Sequence, residues 1–131
     1  MRVLLDTHVL LWMLMAPSRL PVRLRAALED PGHEIMFSAV NIWEVAIKKA
    51  LGRPGFDFSP HEVLRAAQAT PLIELPVRAE HAARVSTLEP LHQDPFDRLL
   101  IAQALCEPAQ LLTTDRKMAR YNAPIDLIVQ E

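Results

Sequence analysis

Apolar and polar positions along the chain form two kinds of pattern: short, nearly unbroken apolar runs, and longer stretches with apolar residues at helical spacing. The runs Val3–Leu5, Glu34–Phe37, Leu72–Leu75, Gln110–Thr113 and Asp126–Val129 predict strands. Apolar residues follow one another in them instead of alternating with polar ones, as in strands covered on both faces of a parallel sheet. Between the runs lie helices. Thr7–Met15 is helical and is stopped by Pro17. Leu20–Leu28 places Leu20, Leu24, Ala27 and Leu28 on one face and ends at the Pro31-Gly32 turn. Ser38 caps a helix to Leu51 with Trp43, Ala46, Ile47 and Ala50 at core spacing, and Gly52 stops it. Ser59-Pro60-His61-Glu62 reads as a capping box that opens a helix to Ala69. Val77–Leu88 and Phe96–Leu105 are the next helices, and a short helical turn spans Asp115–Tyr121.

Strands separated by helices imply right-handed parallel crossovers. The expected fold is therefore α/β, a three-layer α/β/α sandwich on a parallel sheet of roughly five strands. One domain is expected over residues 1–131.

Composition narrows this picture only slightly. Half of the residues are hydrophobic and 23% are charged, the balance of an ordered globular protein. The formal net charge of -2 argues against a sequence-independent DNA coater but not against a nuclease, whose acids lower the total themselves. Cys106 is the single cysteine, which leaves no internal disulfide, and its helical position predicts a buried thiol. The five histidines lack zinc-type spacing, and His8 and His92 are expected at the surface. The longest apolar run, Val9–Ala16, falls far short of the roughly 18 residues of a membrane span. No signal-type segment precedes the first strand, so a cytoplasmic protein without membrane attachment is expected.

The candidate chemistry lies in where the acids fall. Ligands of open parallel sheets gather at the carboxyl ends of the strands. Asp6 follows the first strand and Asp115 follows the fourth. Glu44 lies in the helix after the second strand, and Asp97 in the first turn of the helix that leads to the fourth. Carboxylate oxygens bind hard cations such as Mg²⁺ or Mn²⁺, which relieve the mutual repulsion of crowded acids. Such an ion can lower the pKa of a water and stabilise charge on phosphoryl oxygens, so phosphodiester hydrolysis suits an all-carboxylate site. Taken singly, each acid has a plainer account. Asp6 and Asp115 can cap the following helices, Asp94 and Asp97 suit an acidic first turn, and Glu44 can pair with Lys48.

Four segments together resemble a known family. Leu4-Leu5-Asp6-Thr7-His8-Val9-Leu10-Leu11-Trp12 is similar to the first acidic motif of PIN-domain proteins, specifically VapC-type ribonuclease toxins. The stretch from Ser38 through Trp43-Glu44 to Lys48 resembles the second motif, and His92-Gln93-Asp94-Pro95-Phe96-Asp97-Arg98 the third. Leu111-Leu112-Thr113-Thr114-Asp115, followed by Tyr121, resembles the fourth. The resemblance covers essentially the whole chain. It implies a PIN-like fold and a Mg²⁺- or Mn²⁺-dependent endoribonuclease, the toxin of a toxin–antitoxin pair. It further implies a homodimer, RNA (often transfer RNA) as substrate, and a VapB-type antitoxin that inserts a basic side chain among the acids. The sequence departs from close relatives at Met118, where an aromatic residue is common, and at Arg53-Pro54-Gly55.

On this reading Asp6, Glu44, Asp97 and Asp115 are the catalytic and metal-binding acids, with Glu44 either ligating or orienting water. Thr7 and Thr114 are candidates for orienting a carboxylate, against the plainer role of a local turn hydrogen bond. Asp94 is expected to cap the helix begun by Pro95. Arg98 either holds substrate phosphate or pairs with Asp94 or Asp97. Lys48, Lys49, Arg53, Arg116 and Lys117 either line an RNA groove or are solvated helix ends. Trp12 and Trp43 are expected in core or dimer packing. The alternatives are a phosphatase and a non-catalytic PIN-like interaction module. Asp6-Thr7-His8 lacks the second acid two residues on that an aspartyl phosphatase needs, and the complete set of acids weighs against a module without activity.

Overall fold

The structure is a computed structural model that describes residues 1–121 and the backbone of 125–127. Its strands are β1 (Arg2–Leu5), β2 (Glu34–Ser38), β3 (Ile73–Leu75), β4 (Gln110–Thr113) and β5 (Ile125–Leu127). They form one sheet in the order β3-β2-β1-β4-β5, and every pairing is parallel. Leu4 at its centre pairs with Met36 of β2 on one side and Leu111 of β4 on the other. The predicted residues Ile128 and Val129 lie outside the described part of the chain.

Among the described residues six α-helices accompany the sheet: α1 (Thr7–Met15), α2 (Val22–Glu29), α3 (Ala39–Ala50), α4 (Pro60–Gln68), α5 (Ala79–Arg84) and α6 (Pro95–Cys106). Unbroken apolar strands make sense here because both sheet faces are covered. Val3, Leu5, Phe37 and Leu112 point into one core with Val9, Leu10 and Leu11 of α1, Leu24 of α2 and Val63 of α4. Their neighbours Leu4, Met36 and Leu111 point into the other core with Leu100, Ile101 and Ala104 of α6. That alternation is the three-layer sandwich. None of the described helices is long and apolar enough to cross a membrane.

Several expectations need correcting. The predicted core face of α3 is reversed: Val40, Asn41, Glu44 and Val45 are buried, whereas Trp43 is 51% and Ile47 41% exposed. The helix turns its polar residues inward because they serve the cleft described below, and its apolar stripe faces out. Ser59 precedes α4 but makes no side-chain cap, so the expected capping box is not formed. Val77–Leu88 shortens to α5 followed by a 3₁₀ turn at Val85–Thr87. Asp115–Tyr121 contains only the 3₁₀ turn Met118–Arg120. Pro21 delays the start of α2 to Val22, and Cys106 is half-buried instead of enclosed. Gly52 does end α3, at a φ of 69° that other residues rarely adopt.

The strand order has a consequence for function. From β1 the chain steps outward to β2 and β3, then returns to β4 on the opposite side of β1. Connections that leave adjacent strands in opposite directions open a crevice beyond their carboxyl ends. Here that crevice lies between β1 and β4.

Candidate active site

Asp6 enters the crevice directly from β1. Its backbone N–H continues the sheet by donating to Leu112 O (3.0 Å), and its carboxylate caps α1 by accepting from Thr7 N at 2.7 Å. The second carboxylate oxygen accepts from Thr113 Oγ1 at 2.7 Å. Thr113 ends β4, and its hydroxyl also accepts from Asp115 N (3.0 Å). One side chain thus ties the acid after β1 to the acid after β4. Asp115 is the most open of the group, and its Oδ1 accepts from Lys117 N at 2.9 Å.

Glu44 is brought in by α3. Ser38 caps that helix through its own hydroxyl, and Asn41 completes a capping box by accepting from Ser38 N at 2.7 Å. The Asn41 amide then donates to Leu5 O (3.2 Å) and Thr7 Oγ1 (2.9 Å), which locks α3 onto the end of β1. Thr7 passes the contact on, donating its hydroxyl to Glu44 Oε1. Asp97 arrives from the opposite layer. Asp94 caps α6 by accepting from Phe96 N (2.9 Å) and Asp97 N (3.3 Å), which sets Asp97 in the first turn facing the crevice.

The four predicted acids therefore meet. Asp6, Glu44 and Asp97 are buried, and each of the four lies within electrostatic reach of at least one other. Burial, and then the charge of Glu44 and Asp115, push the Asp6 carboxyl up to about 7 against the hydrogen bonds from Thr113 and Thr7. Burial, and then the charges of Asp6, Asp94 and Glu44, push Asp97 up to about 9. Among the described residues no lysine or arginine pairs with Asp6, Asp97 or Asp115.

The other side of the cluster differs. Lys48, one turn beyond Glu44, donates to Glu44 Oε2 at 2.6 Å and Asp94 Oδ2 at 2.7 Å, and its side chain is only 15% exposed. Its ammonium lies 5.2 Å from the Phe56 ring centre and 5.4 Å from that of Phe96. Burial alone would lower the lysine pKa, but the hydrogen bonds and charges of Asp94 and Glu44 raise it overall. Burial likewise would raise Asp94, and Lys48 outweighs it, holding that carboxyl below its ordinary value.

Several residues differ from expectation. Lys48 is not a solvated helix end, since Glu44 and Asp94 engage its ammonium. Arg98 pairs with neither Asp94 nor Asp97; its guanidinium donates to Glu89 O, Val85 O and the Tyr121 hydroxyl, tying the preceding loop to α6. The hydroxyl that serves the acids is Thr113, whereas Thr114 makes no side-chain hydrogen bond among the described residues. His92 is not a surface residue: Nε2 lies 2.6 Å from Asp97 Oδ2 and 4.0 Å from Asp115 Oδ2. Tyr121 fixes it by donating to His92 O, and accepts from His92 N at 2.8 Å. His8 is half-buried against Phe56 and Trp12, and burial lowers its pKa. Trp12 is buried as expected; Trp43 packs edge-on against Phe96 at 4.7 Å but is otherwise open.

The donor set fits a hard divalent cation. Among the described residues it offers carboxylate oxygens and one imidazole nitrogen in two groupings, His92/Asp97/Asp115 and Glu44/Asp94/Asp97, each with one atom per residue within 4.8 Å of the others. The raised carboxyls of Asp6 and Asp97 are what a cation would relieve.

The sequence profile of the PIN domain matches residues 3–124. No curated protein sequence matches the chain. Among solved structures, VapBC2 from Rickettsia felis bound to a promoter DNA fragment is similar, with 16% identity, 98% of this chain and 99% of that chain covered, and a TM-score of 0.74. DNA-bound VapBC from Salmonella typhimurium matches at 15% identity, with 96% and 97% covered and a TM-score of 0.67. FitAcB from Neisseria gonorrhoeae matches at 20% identity, with 94% and 95% covered and a TM-score of 0.65.

Proposed function

The chain belongs to the PIN-domain family, whose members are in general nucleases, and on that premise we propose that it is a metal-dependent endoribonuclease, the VapC-type toxin of a toxin–antitoxin pair. One observation carries the proposal: Asp6, Asp97 and Asp115 converge beyond the carboxyl ends of β1 and β4 with two of them buried and their carboxyls pushed up. Acids held together without a countercharge cost stability and are kept for a ligand that is positive.

In this reading Asp6, Asp97 and Asp115 hold Mg²⁺ or Mn²⁺. Bound there, the ion supplies positive charge to the scissile phosphodiester and to an attacking water. Asp6 is held by Thr7 N and Thr113 Oγ1, so its ligating geometry is set before any ion arrives. Glu44 is oriented by Thr7 and Lys48, and it accepts a proton from water instead of binding metal first. The products are 5′-phosphate and 3′-hydroxyl ends.

The partner is a VapB-type antitoxin that places a basic side chain among the same acids, where the unmet negative charge favours it. Trp43 and Ile47 of α3 and Leu51 just beyond its end are exposed, an apolar stripe that supports a protein partner or a second copy of the chain. RNA, including transfer RNA, is the substrate, and the protein acts in the cytoplasm.

The test is cleavage of purified RNA with Mg²⁺, Mn²⁺ or EDTA by the parent and by Asp6→Asn. The parent cuts only with metal, and Asp6→Asn does not cut while keeping the parent circular dichroism spectrum. A variant that cleaves like the parent, with contaminating nuclease excluded, overturns the reading. Expression arrests growth, and co-expression of an adjacent small antitoxin gene restores it.

A further inference from the structure

Asp97 is shared by two groupings of potential ligands: one with His92 and Asp115, the other with Glu44 and Asp94. Two such groupings joined by a common acid are what a pair of divalent ions would use. Building on the metal-nuclease reading, we infer that the second position is held by the ammonium of Lys48, so that the site takes one divalent ion per chain and Lys48 supplies the second positive centre.

The surroundings of Lys48 distinguish it from a surface ion pair. Its nitrogen bonds Glu44 at 2.6 Å and Asp94 at 2.7 Å, the two acids of that grouping other than Asp97. The remaining oxygens of those acids are engaged as well. Glu44 Oε1 accepts from the Thr7 hydroxyl, and Asp94 Oδ1 accepts from Phe96 N and Asp97 N. The rings of Phe56 and Phe96 complete the enclosure, at 5.2 and 5.4 Å from the nitrogen. Aromatic rings attract an ammonium directly. They offer no acceptor to the water shell that Mg²⁺ retains. This half of the site is shaped for an alkylammonium, whereas the half with Asp6, Asp97 and Asp115 offers oxygen and imidazole donors without a lysine or arginine partner among the described residues.

An ammonium has three N–H donors, and Glu44 and Asp94 take two of them. The third is available to a phosphoryl oxygen of bound RNA. Lys48 thereby serves the substrate as a fixed point charge, where a second ion would otherwise serve.

Counting Mn²⁺ bound to the full chain, by electron paramagnetic resonance of the free ion during titration, tests this directly. The parent binds one ion per chain. Lys48→Met, which keeps an unbranched side chain one atom shorter and removes its charge, binds a second, and Lys48→Arg stays at one. Two ions on the parent, or one ion of unchanged affinity on a folded Lys48→Met, overturns the inference. Should Lys48→Met fail to fold, the parent and Lys48→Arg counts decide alone: one ion on each supports it, two on either overturns it. No ion on the parent has a different meaning, because then the metal-nuclease reading itself fails and the inference with it.

Discussion

The acidic cluster has two sides that handle the same problem differently. On the α3 side, Glu44 and Asp94 grip Lys48, and the Asp94 carboxyl is held below its ordinary value. On the strand side, Asp6 and Asp97 are more deeply buried than Asp94 and are pushed up to about 7 and about 9. Desolvation acts on both sides, more strongly on the strand side, and only the α3 side supplies its own lysine. A carboxylate paired within the fold already has its charge met, whereas one left without a lysine or arginine partner is built for a cation that arrives later.

The largest effect should come from substituting an acid on the strand side, with an acid on the α3 side as its control. Asp97→Asn removes a strand-side acid and should lower metal-dependent cleavage by about 100- to 1,000-fold. Asp94→Asn retains an amide that can cap α6, and should lower cleavage by no more than about tenfold, because asparagine caps as well as aspartate. Single-turnover RNA cleavage at saturating Mn²⁺ measures both. Equal losses would dissolve the distinction between the two sides. Next in size is His92→Gln, which breaks the 2.6 Å contact to Asp97. Metal affinity, read by calorimetry, should fall about 10- to 100-fold, as when the partner that orients a ligand is removed. Affinity that does not change would make His92 a loop anchor only.

Stability of the metal-free protein carries the same contrast into pH. The folded values of Asp6 and Asp97 exceed the ordinary 3.8, so the folded chain binds more protons than the unfolded one as pH rises above about 4. Stability from these two groups is therefore fully present below pH 4 and declines as pH climbs through about 7 and about 9. In EDTA, Tm should fall by several degrees between pH 5 and 8 through these groups, and Mn²⁺ should restore more at pH 8 than at pH 5. The Asp6→Asn/Asp97→Asn double variant should lose most of this slope. A metal-free Tm that rises over the same interval, with the slope unchanged in the double variant, would contradict the two-sided picture.

Much of this was legible in the sequence, for identifiable reasons. Strands buried on both faces leave an unbroken apolar signature, and acids placed after them must gather where the topology opens a crevice. The part that was not legible depends on which way a helix faces. Periodicity places Trp43, Ala46 and Ile47 on one stripe of α3 but cannot say that this stripe points outward, because hydrophobic spacing assumes that the polar face meets water. Here the polar face, with Asn41, Glu44 and Lys48, meets the site instead. Spacing did indicate that Glu44 and Lys48 pair; the enclosure of that pair by Asp94, Phe56 and Phe96 comes from segments far apart in the chain. His92 was missed for a related reason. It lies outside any periodic element, and only the fold brings its ring to Asp97.

The smallest predicted effect separates two neighbouring threonines at the end of β4. Thr113 closes β4 and Thr114 begins the bend after it, and one of the two hydroxyls reaches Asp6. It is Thr113, which is fully buried, donates to Asp6 at 2.7 Å and accepts from Asp115 N at 3.0 Å. Thr113→Val preserves shape but leaves Asp6 with one hydrogen bond fewer and Asp115 N without its acceptor. Metal affinity should drop about tenfold, at the lower end for a residue that orients a ligand. Thr114→Val removes no such contact, so affinity should be unchanged and stability should shift by less than about 0.5 kcal/mol. Calorimetric titration of Mn²⁺ into each variant distinguishes them. A larger loss in Thr114→Val would mean that the end of β4 turns its other face to the acids, and Asp6 would then owe its orientation to the α1 cap alone.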